Sequence, residues 1–305
     1  MSPFIKACLA TGRVSNLPTV WSTTAVAYFL SSACFCHSNE SLWMIIALCL
    51  ANALFYVGGC FMGDAIDADY DRKHRPNRPI PSGVLNVSKV MATGASMMGL
   101  AYILICLLYP DTSTRTAMTA MVACICTYAI WHKKKPQLAL PLMSSCRALL
   151  VIFSATAGIS QHPENLTSSI AITVIFFSLS MFVYTYVFAS VARHEHKANV
   201  TSPVRLLASI VFVLPFAALI SNYNCFISLH CSIAFTLIAL VTYWLWQLVS
   251  FQLLKKSKIG YVSYSLAGFC LIDAIYASFH SPALVGLTFI FFACALGLQK
   301  ISSAT

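Results

Sequence analysis

The sequence predicts an all-α fold, a polytopic transmembrane helical bundle forming a single domain over residues 1–305. Three observations predict it. Charged residues make up 9% of the chain and hydrophobic residues 59%, whereas a soluble domain carries roughly 25% charged residues. Ten apolar stretches approach the about 20 helical residues that cross a hydrocarbon core about 30 Å thick; they are residues 15–36, 42–63, 88–109, 115–131, 138–159, 168–191, 204–221, 228–252, 262–279 and 283–298. With an interior amino terminus, all of the 19 Lys and Arg except Arg115, at an external helix start, and Arg147, inside a span, face the cytoplasmic side. Both termini are then cytoplasmic, as the positive-inside rule requires, and the net charge of +10 follows membrane topology. Nucleic acid is not implied.

The first span reads as a membrane helix in its own right, with no cleavable signal pattern. Pro18 suits its first turn, and Arg13 at its cytoplasmic start reads as a snorkelling arginine. The second span carries Asn52, Tyr56, Gly58 and Gly59 toward its cytoplasmic end, where small residues allow close helix packing or open space for a ligand. Beyond it lies the stretch with most of the chemistry, GDAIDADYDRKHRPNRPIPSG, residues 63–83. If the helix runs on, Asp64, Asp67 and Asp71 fall within about 60° of one another on one face while Asp69 points elsewhere. Carboxylates that close repel unless a cation neutralises them, and all-oxygen ligands suit Mg²⁺, an ion that shares its shell with phosphates. Arg72, Lys73, Arg75 and Arg78 follow at once, so the pattern suits a diphosphate. Pro76, Pro79 and Pro81 then end the helix and stiffen the loop up to Gly83, holding Arg75 and Arg78 over the carboxylate face.

Between the fourth and fifth spans, Lys133, Lys134 and Lys135 read as a topogenic charge run. Arg147 in the fifth span and Asp273 in the ninth are lone intramembrane charges; either they pair or one of them handles a ligand. After the sixth span comes RHEHKAN, residues 193–199, in which His194 and His196 are metal or phosphate ligands or simply solvated, and Glu195 is the only carboxylate. External loops are short and nearly uncharged, with a glycosylation sequon at Asn165. The 13 cysteines lie almost entirely in apolar spans and read as small hydrophobes, and the pairs Cys34/Cys36 and Cys124/Cys126 lack metal-ligand spacing.

These residues resemble the UbiA superfamily of intramembrane prenyltransferases. Its first motif, N-D-x-x-D-x-x-x-D-R followed by R-P-x-R-P-I-x-S-G, is matched by Asp64, Asp67, Asp71, Arg72, Arg75, Pro76, Arg78, Pro79, Ile80, Ser82 and Gly83, with Gly63 replacing the leading asparagine. Tyr128, Lys133, Lys134, Pro136 and Gln137 follow the order of the family's fourth-span ending, and Tyr184 with RHEHK stands where its second aspartate motif belongs, depleted here to Glu195. The resemblance implies nine to ten spans around a central apolar cavity opening to the cytoplasmic side. It implies transfer of an isoprenoid group from a prenyl diphosphate to an aromatic or other lipophilic acceptor, within the lipid bilayer and with Mg²⁺ as cofactor. Asp64, Asp67 and Asp71 are the expected catalytic metal ligands, with Glu195 completing a second ion site. Arg72, Arg75 and Arg78 are expected to clamp the diphosphate; Tyr128, Lys133, Lys134, Arg147 and Tyr184 complete the expected substrate site.

Two other readings meet this one. A CDP-alcohol phosphotransferase needs a glycine directly after its second aspartate, but Ala68 follows Asp67. A transporter, or a relative that binds an isoprenoid or anionic lipid without turnover, fits Arg147 and Asp273 but not the gathering of polar residues at one membrane face.

Overall fold

The computed structural model describes residues 2–32, 39–193, 202–222, 230–256 and 258–301. All ten apolar stretches are helical over most of their described parts, and no strand occurs among the described residues. In chain order the helices are α1 (Pro3–Thr11), α2 (Leu17–Ser32), α3 (Asn39–Ile66), α4 (Ala68–His74), α5 (Val87–Leu108), α6 (Thr112–Trp131), α7 (Pro136–Gln161), α8 (Ser168–Arg193), α9 (Ser202–Ser209), α10 (Leu214–Ser221), α11 (His230–Lys256), α12 (Lys258–Ala267), α13 (Phe269–Ser278) and α14 (Pro282–Ile301). Seven stretches among the described residues are long and apolar enough to cross a bilayer: Leu42–Ile66, Val87–Leu108, Pro136–Gln161, Ser168–Arg193, Ile233–Leu254, Gly260–Ser278 and Pro282–Lys300. The other three predicted spans correspond to α2, with 16 described residues, to α6, polar at its start with Thr112, Ser113, Thr114, Arg115 and Thr116, and to the shorter apolar segment Leu206–Ser221. The tenth span is α14, which packs on α13 and α2.

In a bilayer the helix rich in hydroxyl side chains belongs in the interior, and α2, with Thr19, Ser22, Thr23, Thr24, Ser31 and Ser32, is buried at every position except Trp21. It packs against α7, α3, α14 and α13. Close packing elsewhere uses the predicted small residues. A Cβ on Gly58 of α3 would lie 2.8 Å from the Gly94 carbonyl of α5, and one on Gly94 would lie 2.8 Å from the Gly58 carbonyl. The two backbones touch at the one place where neither helix carries a side chain. Asn165, the sequon residue, donates from Nδ2 to the Ser32 carbonyl at 2.6 Å and so ties the α7–α8 connection to the end of α2.

Candidate active site

The chemistry assembles at one end of the bundle, where α3 passes into α4. The helical ladder persists through the joint, with Asp67 N donating to Gly63 O and Asp71 N to Asp67 O, each at 2.9 Å. Asp64, Asp67 and Asp71 therefore keep the predicted face and are sheltered, with side chains 14%, 8% and 2% exposed. Arg75 N donates to Asp71 O at 2.7 Å and ends α4. The proline segment then folds back through turns in which Ser82 N donates to Arg78 O and Leu85 N to Pro79 O. Gly83 takes φ 81°, the left-handed region open to glycine. A small second core holds the loop down: Ile80 and Leu85 pack with Ala7, Phe61, Ala65, Ala68 and Val90. The stiffness read from three prolines is thus reinforced by burial under the loop.

Each aspartate meets a different set of cations. Arg78 Nη1 lies 2.8 Å from Asp71 Oδ2 and 3.6 Å from Asp64 Oδ1, so one nitrogen sits between two carboxylates. Asp71 Oδ1 is buried and has no hydrogen-bond partner. Asp64 also faces Arg13, whose Nη2 is 3.3 Å away and whose Nη1 reaches Cys60 Sγ at 3.4 Å. Asp67 turns to α6: His132 Nε2 is 2.9 Å from its Oδ2, and Lys133 Nζ 3.7 Å from the same atom while lying 4.2 Å over the Tyr70 ring. His132 in turn stacks on Tyr128, with ring centroids 4.9 Å apart.

Among the described residues, no three His, Cys, Asp or Glu side chains group closely enough to hold a metal ion. The subset that fits a small hard cation is Asp64 with Asp71, because a positive nitrogen already bridges them and Asp71 keeps a free oxygen. Asp67, predicted to join them, lies against His132 and Lys133. Glu195, His194 and His196 lie outside the described residues.

The remaining predicted residues divide between the mouth and the interior. Arg75 and Arg78 line a cavity of about 420 Å³ together with Arg13, Asp64 and His74. This cavity opens between the α1–α2 connection and the proline loop, at the end of the bundle. Arg72 turns away and pairs with exposed Asp69 at 2.8 Å; Lys134 is exposed. Arg147 and Tyr184 lie deeper, both against Phe269: the Arg147 Cζ is 4.4 Å from that ring's centroid and the Tyr184 ring 4.9 Å. The Tyr184 hydroxyl donates to Ser265 O at 2.7 Å and accepts from Gln247 Nε2 at 3.2 Å, which employs it fully within the core. Arg147 and Asp273 do not touch. Arg147 Nη2 donates to Thr19 Oγ1 at 2.7 Å, and Asp273 Oδ2 accepts from Thr23 Oγ1 at 3.2 Å. One turn of α2 therefore stands between the two intramembrane charges.

Two site residues escaped the sequence reading. Arg13, read as an interfacial anchor, is directed at Asp64 by a left-handed backbone (φ 44°, ψ 46°), the one positive φ at a non-glycine among the described residues. Such conformations concentrate at functional positions. His132 was hidden beside three lysines, and its only local signal was its place four residues after Tyr128 on α6.

Fold and site define an integral multi-pass membrane protein whose helical bundle carries a carboxylate and guanidinium mouth at one end. The chain belongs to the UbiA prenyltransferase family, whose pattern matches residues 19–263. It is 28% identical over 104 residues to the digeranylgeranylglyceryl phosphate synthase of Metallosphaera sedula, a match covering 34% of each chain. It is 32% identical over 94 residues to the 4-hydroxybenzoate octaprenyltransferase of Paraburkholderia phymatum, covering 30% of this chain and 31% of that protein. The chain thus matches about a third of the length of these curated relatives. Solved structures share the fold across nearly the whole chain. One described for digeranylgeranylglyceryl phosphate synthase in membranes has a TM-score of 0.59 at 17% identity, covering 94% of this chain and 100% of that one. A UbiA homologue from Archaeoglobus fulgidus bound to DMAPP and Mg²⁺ has a TM-score of 0.54 at 14% identity, covering 97% and 99%.

Proposed function

We propose that the protein is a Mg²⁺-dependent intramembrane prenyltransferase that moves an isoprenoid group from a prenyl diphosphate to an aromatic or other lipophilic acceptor, with its mouth on the cytoplasmic side. The observation that carries the reading is the position of Arg78 Nη1 between Asp64 and Asp71, beside the free Asp71 Oδ1. Asp64 and Asp71 would hold Mg²⁺, which when bound supplies positive charge to the leaving diphosphate. Arg75, Arg78 and Arg13 border the mouth cavity and present guanidinium donors to the same anion. Preorganised donors of this kind favour the charge that grows on the diphosphate as the allylic carbon–oxygen bond breaks. His132 and Lys133 fix Asp67 at the rim, and the apolar helices beneath it keep water from the cation left behind. Arg72, paired with Asp69 in solvent, contributes least to this clamp. The likeness to UbiA homologues bound to DMAPP or GPP with Mg²⁺ supports the ligand class, and the distribution of Lys and Arg supports the sidedness.

The test is release of diphosphate from labelled geranyl diphosphate by the detergent-solubilised protein, with Mg²⁺ or with EDTA, in wild type and in Asp64→Ala and Asp71→Ala variants. Loss of release with EDTA and in both variants is expected. Release indifferent to Mg²⁺ and to both substitutions would overturn the proposal, and tight binding without release would mark a carrier.

A further inference from the structure

Cys124 and Cys126 are neighbours in sequence, yet the partner of Cys124 in space is Cys146. The two sulfurs are 3.6 Å apart across the α6–α7 interface; the Cys146 thiol donates to Cys124 Sγ, and the Cys124 thiol donates to the Leu142 carbonyl at 3.4 Å. Both cysteines are free and partly exposed. A disulfide needs its sulfurs about 2.05 Å apart on Cβ atoms about 3.5–4.5 Å apart. Thiols already in contact across two closely packed helices are therefore within about 1.5 Å of bonding. The pair also has a defined place. Cys124 lies one turn before Tyr128, which stacks on His132, and Cys146 adjoins Arg147, which is bonded to α2. A bond here would join the helix that leads into the Asp67 partners to the helix that carries Arg147.

We propose that Cys124 and Cys146 are a reversible oxidation site, closed to a disulfide by a lipid-soluble hydroperoxide. One thiol sulfur attacks the peroxide, the O–O bond breaks, an alcohol leaves, and the sulfur becomes a sulfenic acid. The second thiol sulfur attacks the sulfenic sulfur, the S–S bond forms, and water leaves with the hydroxyl and the thiol proton. Two thiols are oxidised and one hydroperoxide is reduced to alcohol and water.

The experiment treats the detergent-solubilised wild-type protein with cumene hydroperoxide, blocks remaining thiols with N-ethylmaleimide, and maps the cysteines by peptide mass spectrometry. The expected product is a Cys124–Cys146 peptide pair two hydrogens lighter than its parts, with Cys126 alkylated. Dithiothreitol should restore both thiols. The oxidised protein should unfold at a higher apparent temperature, because a cross-link restricts the unfolded chain, and Cys146→Ser should lose both the peptide pair and the shift. Alkylation of both Cys124 and Cys146 after oxidation, or a bridge from either to another cysteine, would overturn the proposal. The readout is a covalent bond and stands whether or not the protein transfers a prenyl group.

Discussion

Replacing Arg78 by alanine removes the one nitrogen that serves two carboxylates. Asp71 is 2% exposed and its Oδ1 is already unpartnered, so the variant leaves a buried carboxylate with no cation, facing Asp64 across the space the guanidinium filled. Breaking a fully buried ion pair costs about 3–5 kcal/mol. Arg78 is 26% exposed and water partly replaces it, which lowers the expected cost to about 2 kcal/mol. For a chain of 305 residues that is a fall of roughly 3 °C in the apparent unfolding temperature. The assay is thermal unfolding in detergent with EDTA, repeated with millimolar Mg²⁺. If Asp64 and Asp71 form the cation position, Mg²⁺ should restore most of the loss in Arg78→Ala, because a ligand that binds only the folded state stabilises it. Arg78→Lys should fall between, since it keeps a charge but loses the planar fork. An Arg78→Ala protein as stable as wild type would refute the bridging role, and a loss that Mg²⁺ leaves untouched would refute the metal position.

The other expectations are narrower. Arg72→Ala should leave unfolding temperature and diphosphate release near wild type, because its pair with Asp69 is exposed on both sides and such pairs contribute at most about 1 kcal/mol. Gly58→Ala should destabilise by about 1–3 kcal/mol, since its Cβ would press on the Gly94 carbonyl and on Met98, with unfolding temperature as the readout. Gly63→Asn, which restores the family's asparagine, should fold as well as wild type, because nothing lies within 4 Å of a Cβ there. In a double-mutant cycle on diphosphate release, His132→Ala and Asp67→Asn should be strongly non-additive; additive losses would mean that the 2.9 Å contact has no functional role.

The architecture was legible because the bilayer simplifies the problem. A membrane span must satisfy its own backbone and bury its polar atoms, so length, hydropathy and the placement of Lys and Arg suffice to count helices. The burial of α2 on nearly every side was less legible. Its threonines and serines dilute the apolar signal, and they earn their place only through partners on other helices: Thr19 with Arg147, Thr23 with Asp273, and Thr24 with Asn52.

The acidic stretch shows where reading along the chain stops. Helical spacing puts Asp64, Asp67 and Asp71 on one face, and the ladder through Asp67 keeps them there. A shared face, however, fixes only directions from one helix, whereas a site is fixed by what comes to meet it. Arg13 arrives from 51 residues away and His132 from 65, on elements whose local sequence reads as a snorkelling anchor and a topogenic charge run. Those arrivals divide the triad into a pair, Asp64 with Asp71, and a separate Asp67 held by α6. The same limit explains the cysteines, which read as small hydrophobes in the sequence while helix packing brings Cys124 against Cys146. The division has a consequence for chemistry. If Asp67 is tied to His132 and Lys133 while the other two carboxylates share Arg78, movement of α6 against α3 changes the charge around Asp67 without disturbing the bridge between Asp64 and Asp71. The mouth is therefore built as two electrostatic units, one belonging to the proline loop and one to the end of α6.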